Sequence, residues 1–200
     1  MCLKNKKRIF TRAQHSSIFL LVFVTFNLTN SNLYALTISR SVSEYEVKAA
    51  FLYNIAKFVE WPAERFSAPD EALIIGIYGK DPFGPILNNT IKGKTIRGRT
   101  IVIKRFKLLK RIEFCHILFV SSSKEKYLKK ILAVTKDWNC LTVGDTNRFA
   151  QNGGIIGFAL EKRKVHFSIN IKAAEIAGLK ISSNLLKIAN IINVEKYKED

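Results

Sequence analysis

HILFVSSSKEKYLKKILAVTKDWNCLTVG, residues 116–144, is the stretch that decides the fold. HILFV is a short apolar run with β-branched and aromatic members, the composition of a buried strand. Ser122, with Glu125 three residues on, reads as a capping pair for a helix reaching about Val134. LTVG at 141–144 is a second apolar run of strand length. Strand, helix and strand in that order form a βαβ unit. Its two strands run parallel, because the helix carries the chain back to the starting edge.

The same alternation extends in both directions. LIIGIYG (73–79) reads as a strand, and Asp81-Pro82 supplies a cap and a first-turn proline for a helix to about Ile91. TIVIKRF (100–106) is another strand. Upstream, residues 43–60 read as a helix capped by Ser43 with Glu46 and stopped by Pro62. Downstream, 155–160 and 165–169 alternate around EKRK as an antiparallel hairpin, with helices expected at 171–177 and 184–192. The expected fold is α/β: a single-domain three-layer sandwich, its sheet mostly parallel, helices on both faces, and an antiparallel hairpin at one edge.

The chain has 200 residues, with 33 Lys and Arg against 16 Asp and Glu. Such an excess normally points to nucleic acid, but the first residues redirect it. Residues 1–17 hold Lys4, Lys6, Lys7, Arg8 and Arg12 and no acid, and IFLLVFVTFNL (18–28) follows. Tyr34-Ala35 closes a polar stretch after it. This is the layout of a secretory signal peptide, expected over 1–35, with the α/β domain at 36–200. The apolar run is short of the ~30 Å hydrocarbon core. Five of the basic residues and none of the acids lie in 1–35, so the remainder carries a net charge of +12. In an exported protein that charge faces an anionic membrane or an acidic partner rather than nucleic acid.

A series of motifs then becomes informative: EVKAAFLYNIAKFVEWP (46–62), GKDPFG (79–84), CHILFVSSS (115–123), LTVGD (141–145), FAQNGGIIGF (149–158), VHFSIN (165–170) and AGLKISSNLLKIA (177–189). In this order and spacing they resemble the YfiR family over about residues 43–192. The resemblance implies a dimeric periplasmic protein that represses a membrane-bound diguanylate cyclase by binding its periplasmic sensory part. It would thereby limit cyclic-di-GMP synthesis and biofilm formation. No cofactor is expected, and the client is expected to be a diguanylate cyclase first, with a membrane histidine kinase as the other membrane signalling partner. The disulfides of the best-understood relative are not matched here: LIIGIYG and the Gly153-Gly154 region hold no cysteine to partner Cys115.

Four groups of residues are candidate sites. Cys115 and Cys140 each precede a strand of the βαβ unit, so they are either a disulfide or two buried thiols. The first helix is apolar nearly all round, with Val47, Phe51, Ile55 and Phe58 on one stripe. Tyr45, Leu52, Tyr53, Ala56 and Val59 cover much of the rest, and Tyr45, Phe51, Leu52 and Tyr53, with Trp61 beyond the helix, are expected either at a dimer or client interface or between sheet and C-terminal helix. Asp81, Ser121, Ser122 and Asp145 follow parallel strands, where open α/β sheets bind ligands, but Asp81 and Ser122 also read as helix caps. A small-molecule sensor for signalling or transport is therefore the alternative function. Lys92, Lys94, Arg97, Arg99, Lys104, Arg105, Lys107, Lys110 and Arg111 form an acid-free basic run. It reads as a solvated face or as a contact for anionic lipid or an acidic client. His116 reads as a core histidine. His116 and His166 lack companions at metal-ligand spacing, and no catalytic motif is present.

Overall fold

The computed structural model describes residues 42–146 and 148–192. The expected signal peptide at 1–35 lies outside the described residues. Val42 onward forms one compact unit.

Helix α1 (Glu44–Lys57) starts at the foreseen capping box: Ser43 Oγ accepts from Glu46 N at 3.2 Å, and Ser43 N donates to Glu46 Oε2 at 2.7 Å. It ends before Pro62, because Val59–Glu60 becomes a short strand, β1. Then follow β2 (Leu73–Tyr78), α2 (Pro85–Ile91), β3 (Ile101–Phe106), β4 (Ile117–Val120), α3 (Leu128–Thr135) and β5 (Leu141–Gly144). The hairpin is β6 (Ile156–Glu161) and β7 (Lys164–Asn170). After it come α4 (Ile171–Ile176), β8 (Lys180–Ile181), α5 (Ser183–Leu186) and β9 (Asn190–Ile192).

Seven strands form one sheet in the order β3-β2-β4-β5-β6-β7-β9, and β1 pairs antiparallel with β8 in a separate pair. Every pairing in the large sheet is parallel except β6 with β7. β2 sits between β3 and β4, so the chain reverses its direction of travel across the sheet at the β2/β4 boundary.

Alternate residues feed two cores. Ile75, Ile77, Ile117, Phe119, Leu141 and Val143 pack with α1 and α2 on one face. Tyr78, Leu118, Val120 and Phe149 pack with Leu128 and Ile131 of α3 on the other. Each fully buried Ile, Leu or Phe contributes about 1.5–3 kcal/mol. This is the three-layer sandwich the strand spacing implies.

Several local expectations change. Helix α2 begins at Pro85 behind Gly84, so Asp81 and Pro82 are not its cap and first-turn proline. The hairpin is not the sheet edge, because β9 pairs in parallel with β7; the apolar run NII, expected as helix, is strand instead. The cap before α3 is Ser121, and it opens a 3-10 segment, Ser122–Tyr127, in place of a helix capped by Ser122. The buried face of α1 runs through Lys48, Ala49, Leu52, Ile55 and Ala56, whereas Phe58 of the expected stripe is exposed.

Candidate functional site

The carboxyl ends of the parallel strands bring three of the expected residues together. Asp145, directly after β5, has a side chain only 2% exposed. Its Oδ2 accepts from the Tyr45 hydroxyl at 2.7 Å, and its Oδ1 accepts from Ser122 N at 3.1 Å. Lys48, 3% exposed, lies 3.6 Å from Asp145 Oδ2 and 2.5 Å from Glu44 Oε1. The Lys48 ammonium also sits 4.7 Å from the centre of the Tyr45 ring. Burial, then the hydrogen bond to Asp145, pushes the Tyr45 phenol well above its ordinary range, so it stays a donor.

Ser121 belongs to the adjoining turn. Its Oγ lies 3.1 Å from Ser123 Oγ, which accepts from Lys80 N at 3.0 Å and so ties the loop after β4 to the loop after β2. Asp81 stands apart from these. Its Oδ1 accepts from Phe83 N and Gly84 N at 2.8 and 3.2 Å, and Arg105 Nε donates to its Oδ2 at 2.6 Å. Gly84, with φ +51°, is the residue preceding α2, so Asp81 closes the turn ahead of the helix.

The interface candidates separate. Leu52 is 0% exposed and lies in the core, which removes it from any single-chain surface. Tyr45 is turned to Asp145. Phe51 is half-buried against Phe167 and Phe158 of the hairpin, at 5.5 and 6.4 Å between ring centres. Tyr53 keeps a partly exposed ring with Lys57 and Lys94 each 4.8 Å from its centre, and its hydroxyl donates to Thr95 O at 3.2 Å. Trp61 Nε1 donates to His116 O at 3.1 Å, so the indole is anchored to the start of β4.

His116 is fully buried and stacked on Phe66 at 4.5 Å, with Phe114 edge-on at 4.9 Å. Its Nδ1 accepts from Ile74 N at 3.0 Å, which fixes a neutral ring. Burial lowers its pKa. Cys115 and Cys140 stand as free, buried thiols in the α3-side core. Burial pushes Cys115 up to about 12, and Cys140 upward as well. Among the described residues, no three His, Cys, Asp or Glu side chains are placed to hold a metal, and no helix is long and apolar enough to cross a membrane.

Lys48 is the residue the sequence reading missed. Glu44, one turn before it on the same face, was the available signal. A buried lysine on a buried carboxylate is a device for fixing structure, and it leaves the carboxyl-edge crevice on the α1 side occupied by the protein's own groups.

The family model described as YfiR/HmsC-like matches residues 45–190. The chain belongs to the YfiR/HmsC-like family. That match runs from the first turn of α1 to the first residue of β9, and so takes in the other six strands of the large sheet in full. The family is one of periplasmic regulators that interact with membrane signalling proteins. No curated protein matches the chain in sequence. Among solved structures it is similar to a conserved domain protein from Vibrio cholerae, with TM-score 0.54 and 12% identity over 76% of this chain and 60% of that one. It is also similar to an ABC domain in complex with L-Trp from Streptococcus pneumoniae, with TM-score 0.53 and 12% identity over 72% and 60%. At that identity the likeness is one of fold, and the chain spans about three fifths of each of those proteins.

Proposed function

We propose that this YfiR/HmsC-like protein is an exported, non-catalytic regulator that binds and represses the periplasmic sensory part of a membrane diguanylate cyclase. Residues 1–35 serve as its signal peptide and 36–200 as the regulatory domain, acting as a homodimer. The observation that carries this reading is the family match over residues 45–190. Binding one conformational state of the client more tightly than the other is sufficient for repression. A ~100-fold preference corresponds to about 2.7 kcal/mol, within reach of a few interface side chains. Phe58 is the exposed aromatic residue of the α1 region, and Phe51 and Tyr53 beside it are partly exposed.

The test is crosslinking in native membranes, with identification of the captured partner, alongside cyclic-di-GMP measurement on deletion. The reading expects a diguanylate cyclase in the crosslink and a rise in cyclic-di-GMP. A deletion strain with unchanged cyclic-di-GMP would sink it. Phe58→Asp should weaken the capture while leaving thermal unfolding intact.

A second reading, a small-molecule sensor, draws support from the fold neighbour solved with L-Trp. Ligand-induced thermal stabilisation of the purified protein, with no membrane partner captured, would favour it.

A further inference from the structure

Of the nine cations between Pro82 and Ile112, four are tied to acids or carbonyls once folded, and Lys92, Lys94, Lys107, Lys110 and Arg111 have no ion pair among the described residues. Arg97 pairs with Glu60 at 3.1 Å, Lys104 with Glu113 at 2.6 Å and Arg105 with Asp81 at 2.6 Å. Arg99 donates to the carbonyls of Ala68 and Glu71 at 2.8 and 2.9 Å. Lys107 and Lys110 differ: among the described residues no acid is ion-paired to either. They flank Leu108 in the turn that follows β3.

The topology brings that turn against two further lysines from elsewhere in the chain. Lys124 comes from the 3-10 segment after β4, and Lys130 from α3. Together the four lysines line a cleft of about 530 Å3 on the α3 side of the sheet. Leu108, 48% exposed, and Val134, 38% exposed, line the same cleft. Leu109, Tyr78 and Tyr127 complete it, with the Lys124 ammonium 5.5 and 5.7 Å from the two tyrosine ring centres. Among the described residues Lys124 and Lys130 are likewise free of ion pairs, and the one acid of the 3-10 segment, Glu125, does not line the cleft.

Branched aliphatic side chains left open within a ring of unpaired cations need an occupant that offers hydrocarbon and negative charge in one plane. A folded acidic protein intersperses apolar atoms and carboxylates on its surface and would fit the cleft only through a patch matched to it. An anionic bilayer presents phosphates immediately above acyl chains. The +12 carried beyond residue 35 adds long-range attraction of the same sign.

We propose that this cleft docks the protein onto an anionic phospholipid bilayer. Lys107, Lys110, Lys124 and Lys130 sit on headgroup phosphates, while Leu108 and Val134 reach the acyl boundary. The contact would present the opposite, α1, face of the sandwich away from the lipid. It requires a membrane-facing location but no particular client, so it stands or falls separately from the repressor reading.

The test is co-sedimentation of the full chain with phosphatidylcholine vesicles, with and without phosphatidylglycerol. Residues 1–35 are common to every variant, so differences report the cleft. The native chain should prefer the anionic vesicles, and Lys107→Gln, Lys110→Gln, Lys124→Gln and Lys130→Gln together should lower that partition about tenfold or more. Leu108→Ser with Val134→Ser should lower the binding that survives ~1 M salt, where the Debye length is about 3 Å, relative to the native chain. The proposal is overturned if the native chain shows no anionic preference. It is equally overturned if Lys92, Lys94, Lys162 and Lys164 changed to Gln cost as much, because net charge alone then acts. Capture of an acidic membrane protein through the cleft, with no vesicle preference, would also overturn it.

Discussion

Two polar clusters stand on the carboxyl side of one sheet, and they are built to opposite rules. On the α1 side, Asp145 holds a hydroxyl, an ammonium and a backbone N–H, and its side chain is 2% exposed. On the α3 side, four lysines ring Leu108 and Val134 without an acid paired to any of them among the described residues. Both clusters sit where α/β proteins bind ligands. Position alone therefore does not assign a role. Internal partners make the first a structural fastener, and their absence leaves the second open to the outside.

The sharpest way to break this contrast is Asp145→Ala. It strands a buried lysine with Glu44 alone, and leaves the Tyr45 hydroxyl and Ser122 N–H without their acceptor. The expected loss is about 3 kcal/mol in denaturant unfolding, the lower end for breaking a buried pair. A loss under about 0.5 kcal/mol would place Asp145 with the solvent-facing groups and erase the distinction.

The buried titratable groups give the next effect, seen as a slope with pH. His116 has a lowered pKa, caused chiefly by burial and opposed by the Arg65 carbonyl and Glu71. Below about 6.5 the unfolded chain takes up a proton that the folded chain refuses, so stability falls as pH drops, by at most about 1.4 kcal/mol per pH unit. Protonation also removes the Nδ1 lone pair that accepts from Ile74 N. Cys115, pushed up to about 12, acts on the alkaline side: its contribution is intact below about 9 and is lost as pH rises from there to about 12. Denaturant midpoints of the native chain against His116→Asn and Cys115→Ala should show each variant flattening its own limb. A limb unaltered by its variant would remove that residue from the account.

Tyr45→Phe tests the fastener more gently. The ring packing on Phe83, 5.5 Å between centres and nearly perpendicular, is kept while the hydroxyl is lost. Removing one hydrogen bond to a buried carboxylate costs about 1.5 kcal/mol. Thermal unfolding measures it, and a gain in stability would show that the hydroxyl is not wanted there.

Much of this architecture could be read from the chain before folding was considered. The runs at 73–78, 117–120 and 141–144 carry no charge because helices cover both faces, and that burial writes itself into sequence, whereas the edge strand at 101–106 admits Lys104 and Arg105. Ser43 with Glu46 is similarly legible, since a capping box is local. What depends on distant partners was not. NII at 190–192 pairs with β7 from about twenty residues away, and four-residue α5 replaces the longer helix its composition favours. Tyr45 and Asp145 are a hundred residues apart, so their hydrogen bond is invisible in either neighbourhood. The lysine cleft was half legible: Lys107 and Lys110 belong to the basic run, whereas Lys124 and Lys130 arrive through the β4–α3 crossover.

The smallest expected effect is on the cleft itself, and it is the most telling. If the four lysines had structural work, neutralising them would expose a missing partner, as at Asp145. Instead, Lys107, Lys110 and Lys130 are exposed and Lys124 only half-buried, with tyrosine rings as its neighbours. Changes to exposed side chains away from caps and buried networks stay within about 0.5 kcal/mol. Relief of like-charge repulsion around the cleft should push Lys107→Gln with Lys110→Gln toward slight stabilisation, largest at low ionic strength. Thermal unfolding at low and high salt separates the cases. A stabilisation that fades with salt is the mark of cations held close together without an internal reason. A clear destabilisation would mean that these lysines have partners inside the chain, and the two clusters would then follow one rule.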